Sequence, residues 1–238
     1  MKIMSKCAKL FFTPLNFKRQ EMMLKADKLT NAVWAAHRSY TGGPSQFIFD
    51  MICYGPGFPV KGVPRDSVHV PTTPDETIEL IRDIRKMVKL PDKINAADLG
   101  SGLGSFSMSL SMYLEYLNYY KDFHVTGFEL SNYLRPHAEK IAGEQEIKNV
   151  SFVGKDFTEL TKEDFRPFNL IYIYKPFDQC FPYIMADVFP RIASGTLIIT
   201  RLCGEARILQ VSSLFRPVFN PRFAKYQEEY SLFIRTDK

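Results

Sequence analysis

The sequence predicts an α/β chain, a parallel sheet with helices on both faces entered through a helical N-terminal extension, and three observations carry this. A glycine turn, Asp98-Leu99-Gly100-Ser101-Gly102-Leu103-Gly104, closes an apolar run (Ile94, Ala96, Ala97) and opens a stretch of helical character (Phe106, Leu110, Met112, Leu114). From Asn95 onward, β-rich runs alternate with helical runs, the pattern of parallel strands joined by crossover helices. Before that point, the apolar residues between Phe17 and His37 (Met22, Met23, Leu24, Leu29, Val33, Trp34) fall at helical spacing. A chain of 238 residues is long enough to bury a substantial core, as one large domain or one domain with an extension.

In chain order, the first helix, Phe17 to His37, stops at Thr41-Gly42-Gly43-Pro44, and Phe47 to Met51 suggests a short second helix. Tyr54 to Pro74 holds five prolines and three glycines and is expected to be an irregular loop. Asp75 to Lys89 then reads as a helix with Thr73 or Asp75 at its cap and Ile78, Leu80, Ile81, Ile84 and Val88 on the buried face. A strand ending at Asp98 follows, then the glycine turn and its helix. The next strands are Phe123 to Phe128, Val150 to Gly154, Asn169 to Tyr174 and Thr196 to Thr200, with crossover helices at Ser131 to Gly143 and Phe181 to Ile192. Tyr230 to Arg235 is a further strand.

Composition narrows the classes. Hydrophobic content of 45% with 24% charged residues is that of an ordinary soluble protein. The net charge of +5 permits an acidic partner such as nucleic acid without favouring one. Cys7, Cys53, Cys180 and Cys203 are too scattered for a zinc site or a disulfide scaffold, so no metal is expected and a reducing, cytoplasmic setting is. Ala8 to Phe12 is too short and interrupted for a signal-peptide core, and no apolar run approaches membrane-spanning length.

Gly100, Gly102 and Gly104 remove the Cβ atoms that would keep a ligand off the backbone at a helix N-terminus. The spacing departs from the dinucleotide fingerprint, because Ser105 holds the third small position. Asp98 departs further: a carboxylate there repels a pyrophosphate but suits a ligand bearing an ammonium group. Acids also close the next two strands, at Glu129 and Asp156, the latter followed by Phe157.

With Asp98-x-Gly100-x-Gly102-x-Gly104 as its first motif, the chain resembles the seven-strand, Rossmann-like class I methyltransferases that use S-adenosyl-L-methionine. The resemblance runs from about Val70 to the C-terminus and is strongest from Asp98 to Phe177. It implies that Tyr230 to Arg235 pairs antiparallel with a segment between Val211 and Phe219 to close the sheet, a ribose grip by Glu129, an adenine contact by Asp156 and packing of Phe157 on the ring. It also implies a division into residues 1–66, a helical extension and loop, and residues 67–238, the cofactor-binding domain.

For the acceptor side the residues leave alternatives. Val68-His69-Val70-Pro71-Thr72-Thr73-Pro74 is similar to a segment of some protein-lysine methyltransferases that lies over the methionine end of the cofactor, so Thr72 and Thr73 are candidate donors to its carboxylate. The same residues also read as a helix cap after a proline turn. His69 in this loop is the candidate base, whereas His37, beside Trp34, reads as structural. Tyr174-Lys175-Pro176-Phe177 follows the fourth strand, where amino-methylating relatives carry Asn/Asp-Pro-Pro-Tyr/Phe, and the departure disfavours base amino groups as acceptors. Tyr174 is the candidate catalytic residue there, as an aromatic wall for a cationic acceptor. The expected acceptor is a protein side chain, lysine before others, or a small molecule. A non-catalytic pocket protein using Phe215 to Tyr226 to bind a partner or RNA is the second reading.

Overall fold

A computed structural model describes residues 14–41, 72–117, 122–174, 184–201, 213–218 and 230–236. The first helix, α1, spans Pro14–Thr41, longer than the periodicity alone suggests. It buries Met22, Ala26, Leu29 and Val33 at helical spacing, while Met23 and Leu24 face outward. The expected short helix at Phe47 to Met51 and most of the proline-rich loop lie outside the described residues.

Helix α2, Pro74–Met87, begins with a complete capping box: the Thr73 side chain accepts from the Glu76 N–H and the Glu76 side chain from the Thr73 N–H. Pro74 suits the first helical position, where no N–H is needed, and Asp75 and Glu76 complement the helix dipole. The helix ends at Met87 rather than Lys89, with Val88 already extended.

The sheet is seven-stranded, in the order β3-β2-β1-β4-β5-β7-β6. In chain order its strands are β1 (Lys93–Leu99), β2 (Asp122–Phe128), β3 (Val150–Val153), β4 (Leu170–Tyr174), β5 (Leu197–Arg201), β6 (Phe215–Pro217) and β7 (Tyr230–Arg235). The first five are parallel, and β7 pairs antiparallel with both β5 and β6. Helices α3 (Ser105–Leu117) and α4 (Leu134–Glu144) cross over between β1, β2 and β3. The regular α4 helix starts three residues later than the sequence suggests, after a turn in which the Ser131 hydroxyl accepts from the N–H groups of Tyr133 and Leu134.

Two hydrophobic cores sandwich the sheet. On one face α1, α2, α3 and α4 share a core that includes Leu29, Ile81, Leu110, Ile141, Val125 and Ile199. The N-terminal helix therefore packs into the same core as the sheet. On the other face Leu160, Phe165, Val188, Phe189 and Ile192 cover Leu99, Ile171, Ile173 and Ile198. The described elements on that face are short: α5 (Lys162–Phe165), a π-turn at Ile184–Val188 and a 3₁₀ turn at Phe189–Arg191. Over its described residues, 184–192, the helix expected from Phe181 to Ile192 is broken into turns, in keeping with Pro190, which has no N–H to continue an α-helical ladder.

Among the described residues, no helix is long and apolar enough to cross a membrane.

Candidate cofactor site

The strand order turns back between β1 and β4: β2 and β3 lie to one side of β1, and β4 and β5 to the other. Such a switch point opens a crevice at the carboxyl ends of the strands, and open α/β sheets bind ligands there. The glycine turn sits at the carboxyl end of β1. Gly100, Gly102 and Gly104 have φ of 77°, 55° and 73°, a region that residues with a Cβ rarely enter. At Gly104 a Cβ would also stand 2.4 Å from the Phe152 ring and 3.3 Å from Ala138, so this glycine lets α3 pack against β3 and α4. A Cβ at Gly100 would meet only the Phe157 ring, at 4.0 Å, which places that ring beside the turn.

Each acid that closes a strand also caps backbone near it. Asp98, 2% exposed, accepts from the Ser107 hydroxyl at 2.7 Å and from the Ser107 N–H, which ties β1 to the first turn of α3. Burial pushes its carboxyl up to about 7, and the Ser107 hydrogen bonds only partly oppose this. Glu129 accepts from the Gly102 N–H at 2.7 Å and from the Ser131 N–H at 2.8 Å, so one carboxylate orders the glycine turn and the entry to α4. Burial raises its carboxyl as well, against the backbone N–H groups of Ser131, Gly102 and Leu130. Asp156 caps a single 3₁₀ turn, Phe157–Glu159, taking both the N–H and hydroxyl of Thr158 on Oδ1.

On the β4 side the site is built from distant residues. Thr73 spends its hydroxyl on the helix cap, whereas Thr72, 3% exposed, reaches into the sheet. The Thr72 hydroxyl lies 2.8 Å from the Tyr172 hydroxyl and accepts from Arg201 Nη1 at 3.1 Å, while the Thr72 carbonyl accepts from the Ser105 hydroxyl at the start of α3. Arg201 closes β5 and forks onto Glu76, with Nη1 to Oε2 and Nη2 to Oε1 both at 3.2 Å. Tyr172 stacks on Phe106 with ring centres 3.6 Å apart. Tyr174, the last residue of β4, lies under the Arg201 guanidinium at 4.8 Å.

The structure therefore brings Asp98, the three glycines, Glu129 and Phe157 around one turn, with Asp156 beside Phe157. It sets Tyr174 across β4 beside Arg201. His69 lies outside the described residues, as do the residues from Lys175 to Asp178. The sequence reading missed Glu76, Tyr172 and Arg201; the available signal was a cation directly after the apolar run Leu197 to Thr200. It also missed Leu130, which follows Glu129 and is 53% exposed despite being apolar. Among the described residues, no group of three or more His, Cys, Asp or Glu is placed to hold a metal ion.

No family model matches the chain, and no curated protein matches it. Solved structures do resemble it. An RNA methyltransferase from Salinibacter ruber in complex with S-adenosyl-L-homocysteine is 17% identical, with 71% of this chain and 95% of that one covered and a TM-score of 0.48. An rRNA methylase from Streptococcus thermophilus is 10% identical, covering 71% of this chain and 100% of that one at a TM-score of 0.48. Precorrin-6y C5,15-methyltransferase from Geobacter metallireducens is 14% identical, covering 75% of this chain and 92% of that one at a TM-score of 0.49. At such identities a likeness speaks to fold alone, and here the strand order itself identifies the fold. Five parallel strands closed by an antiparallel pair, with a glycine turn after β1 at the switch point, give this chain the seven-strand, Rossmann-like fold of the class I methyltransferases.

Proposed function

We propose that the chain is an S-adenosylmethionine-dependent methyltransferase whose cofactor is held by Asp98, Gly100, Gly102, Gly104, Glu129, Asp156 and Phe157. The observation that carries the reading is the 2.7 Å hydrogen bond from the Gly102 N–H to Glu129, which joins the turn after β1 to the acid after β2 at the switch point. The donor set fits the group. A carboxylate offers about four acceptor positions, so Glu129 keeps capacity for a ribose hydroxyl beside its backbone partners. The Asp156 hydrogen bonds fall on Oδ1, and Oδ2 is the atom assigned to the adenine amino group. Phe157 and Leu130 supply apolar surface for a flat ring, and buried Asp98 suits an ammonium group.

The cofactor supplies a methyl group already activated on a positively charged sulfur. What the protein contributes is orientation of the acceptor and exclusion of water, so a dedicated catalytic base is not obligatory. Thr73 stays assigned to the cofactor side as a hydroxyl donor, because the helix cap uses that oxygen as an acceptor, and His69 and Tyr174 to the acceptor side. The acceptor is a protein side chain or a small molecule. Within that pair, the Arg201 guanidinium covers a face of Tyr174 that a lysine ammonium would use, which favours a small molecule over the lysine that the loop resemblance suggests.

Calorimetry with S-adenosylhomocysteine tests the cofactor assignment, and absence of binding sinks it. Incubating cell extract with the protein and methyl-labelled cofactor, then sorting label among protein, nucleic acid and small molecules, tests the acceptor class. Label in protein would restore lysine to first place.

A further inference from the structure

The acids and the aromatic that serve the nucleoside lie on the β2 and β3 side of the glycine turn. Thr72 lies on the opposite side, against β4 through Tyr172, β5 through Arg201 and the start of α3 through Ser105. A ligand with its nucleoside on the first side that spans the turn brings its far end to Thr72. We propose that Arg201 is a positioning residue that, together with Glu76, locks the Thr72–Thr73 segment in place and so shapes the pocket for the amino-acid end of the cofactor; this inference rests on the methyltransferase reading.

Four features support a positioning role over simple packing. Arg201 is 6% exposed while its Glu76 partner keeps 43% of its side chain exposed, and an ion pair with one half-exposed partner contributes little to stability. What the guanidinium adds is direction, because its planar fork engages both Glu76 oxygens and the Thr72 hydroxyl at once. Its own orientation is set by aromatic faces, Tyr174 at 4.8 Å and Tyr230 at 5.2 Å. Finally, Glu76 Oε2 is shared between Arg201 and the Thr73 N–H, so the helix cap and the end of β5 are one hydrogen-bonded unit.

The test uses two probes on the full chain: S-adenosylhomocysteine, which carries the amino-acid end, and methylthioadenosine, which keeps the nucleoside and sulfur without it. Glu76→Gln preserves an acceptor for the Thr73 N–H, since Gln also serves a capping box, but removes the charge that pairs with Arg201. Arg201→Lys keeps the charge and loses the fork. In both variants affinity for S-adenosylhomocysteine is expected to fall about tenfold or more, while affinity for methylthioadenosine changes less than about twofold. The unfolding midpoint is read alongside, and Thr72→Val replaces any variant that unfolds. Equal losses for both probes, or no loss for S-adenosylhomocysteine, overturn the positioning role while leaving the methyltransferase reading intact. Failure of the unaltered protein to bind S-adenosylhomocysteine overturns both.

Discussion

The two sides of the glycine turn are built differently. On the β2 and β3 side the acids reach mostly over short separations: Glu129 takes the N–H two residues ahead and Asp156 the N–H and hydroxyl two residues ahead. Only the Glu129 bond to Gly102 and the Asp98 bond to Ser107 join separate elements. On the β4 and β5 side the contacts are between side chains a hundred or more residues apart, Thr72 with Tyr172 and Arg201, and Glu76 with Arg201. Apart from those two bonds, the first side is a set of local caps that exists once each loop forms. The second exists only when α2, β4 and β5 have docked, so it reports on the assembled domain.

The largest effect is expected where the first side is closest packed. Gly104→Val places a Cβ inside the Phe152 ring at a positive φ, and a loss of about 3 kcal/mol or more in denaturant unfolding is expected. A loss below about 1 kcal/mol would show that the turn tolerates another conformation. Glu129→Ala comes next: it strands the buried N–H groups of Gly102 and Ser131, with an expected cost of about 2–3 kcal/mol and a fall of more than tenfold in S-adenosylhomocysteine affinity. If stability falls and affinity does not, Glu129 is a cap only and its side of the turn is structural.

A pH titration separates the sides without a large perturbation. Because Asp98 is raised from its ordinary range to about 7 when folded, the folded chain binds its proton more tightly than the unfolded chain does. Its contribution to stability is therefore fully present below about pH 4 and is lost as pH rises through about 7. Binding of a ligand ammonium group favours the ionised form, so affinity for S-adenosylhomocysteine is expected to rise between about pH 6 and 8, with Asp98→Asn flattening both profiles. An unchanged profile in Asp98→Asn would assign the titration elsewhere. The smallest effect belongs to the second side: Tyr172→Phe keeps the stack on Phe106 and removes one hydroxyl from Thr72, an expected loss of about 1 kcal/mol. A much larger loss would mean that the Thr72 network is cooperative.

The same contrast explains how much was legible beforehand. The cap at Thr73 or Asp75, the glycine turn and the acids after β2 and β3 are written in residues a few positions apart, so local chemistry reveals them, whereas the Glu76 half of the capping box was missed. The antiparallel closing pair at Phe215–Pro217 and Tyr230–Arg235 was expected only through a family resemblance, since a three-residue strand carries little pattern of its own. The break-up of the helix before Ile192 hid behind a helical apolar spacing that Pro190 interrupts.

By itself the sequence determined the strand and helix periods, the φ freedom of the turn at Gly100 to Gly104 and the positions of Asp98, Glu129 and Asp156 after successive strands. Only the tertiary structure decided that Thr72 turns inward, and that Arg201 meets Glu76 and lies over Tyr174. The physical reason is range. Caps and turns depend on backbone geometry within one or two turns of chain, whereas the partners of Arg201 are chosen by sheet order and helix docking, which no local pattern encodes.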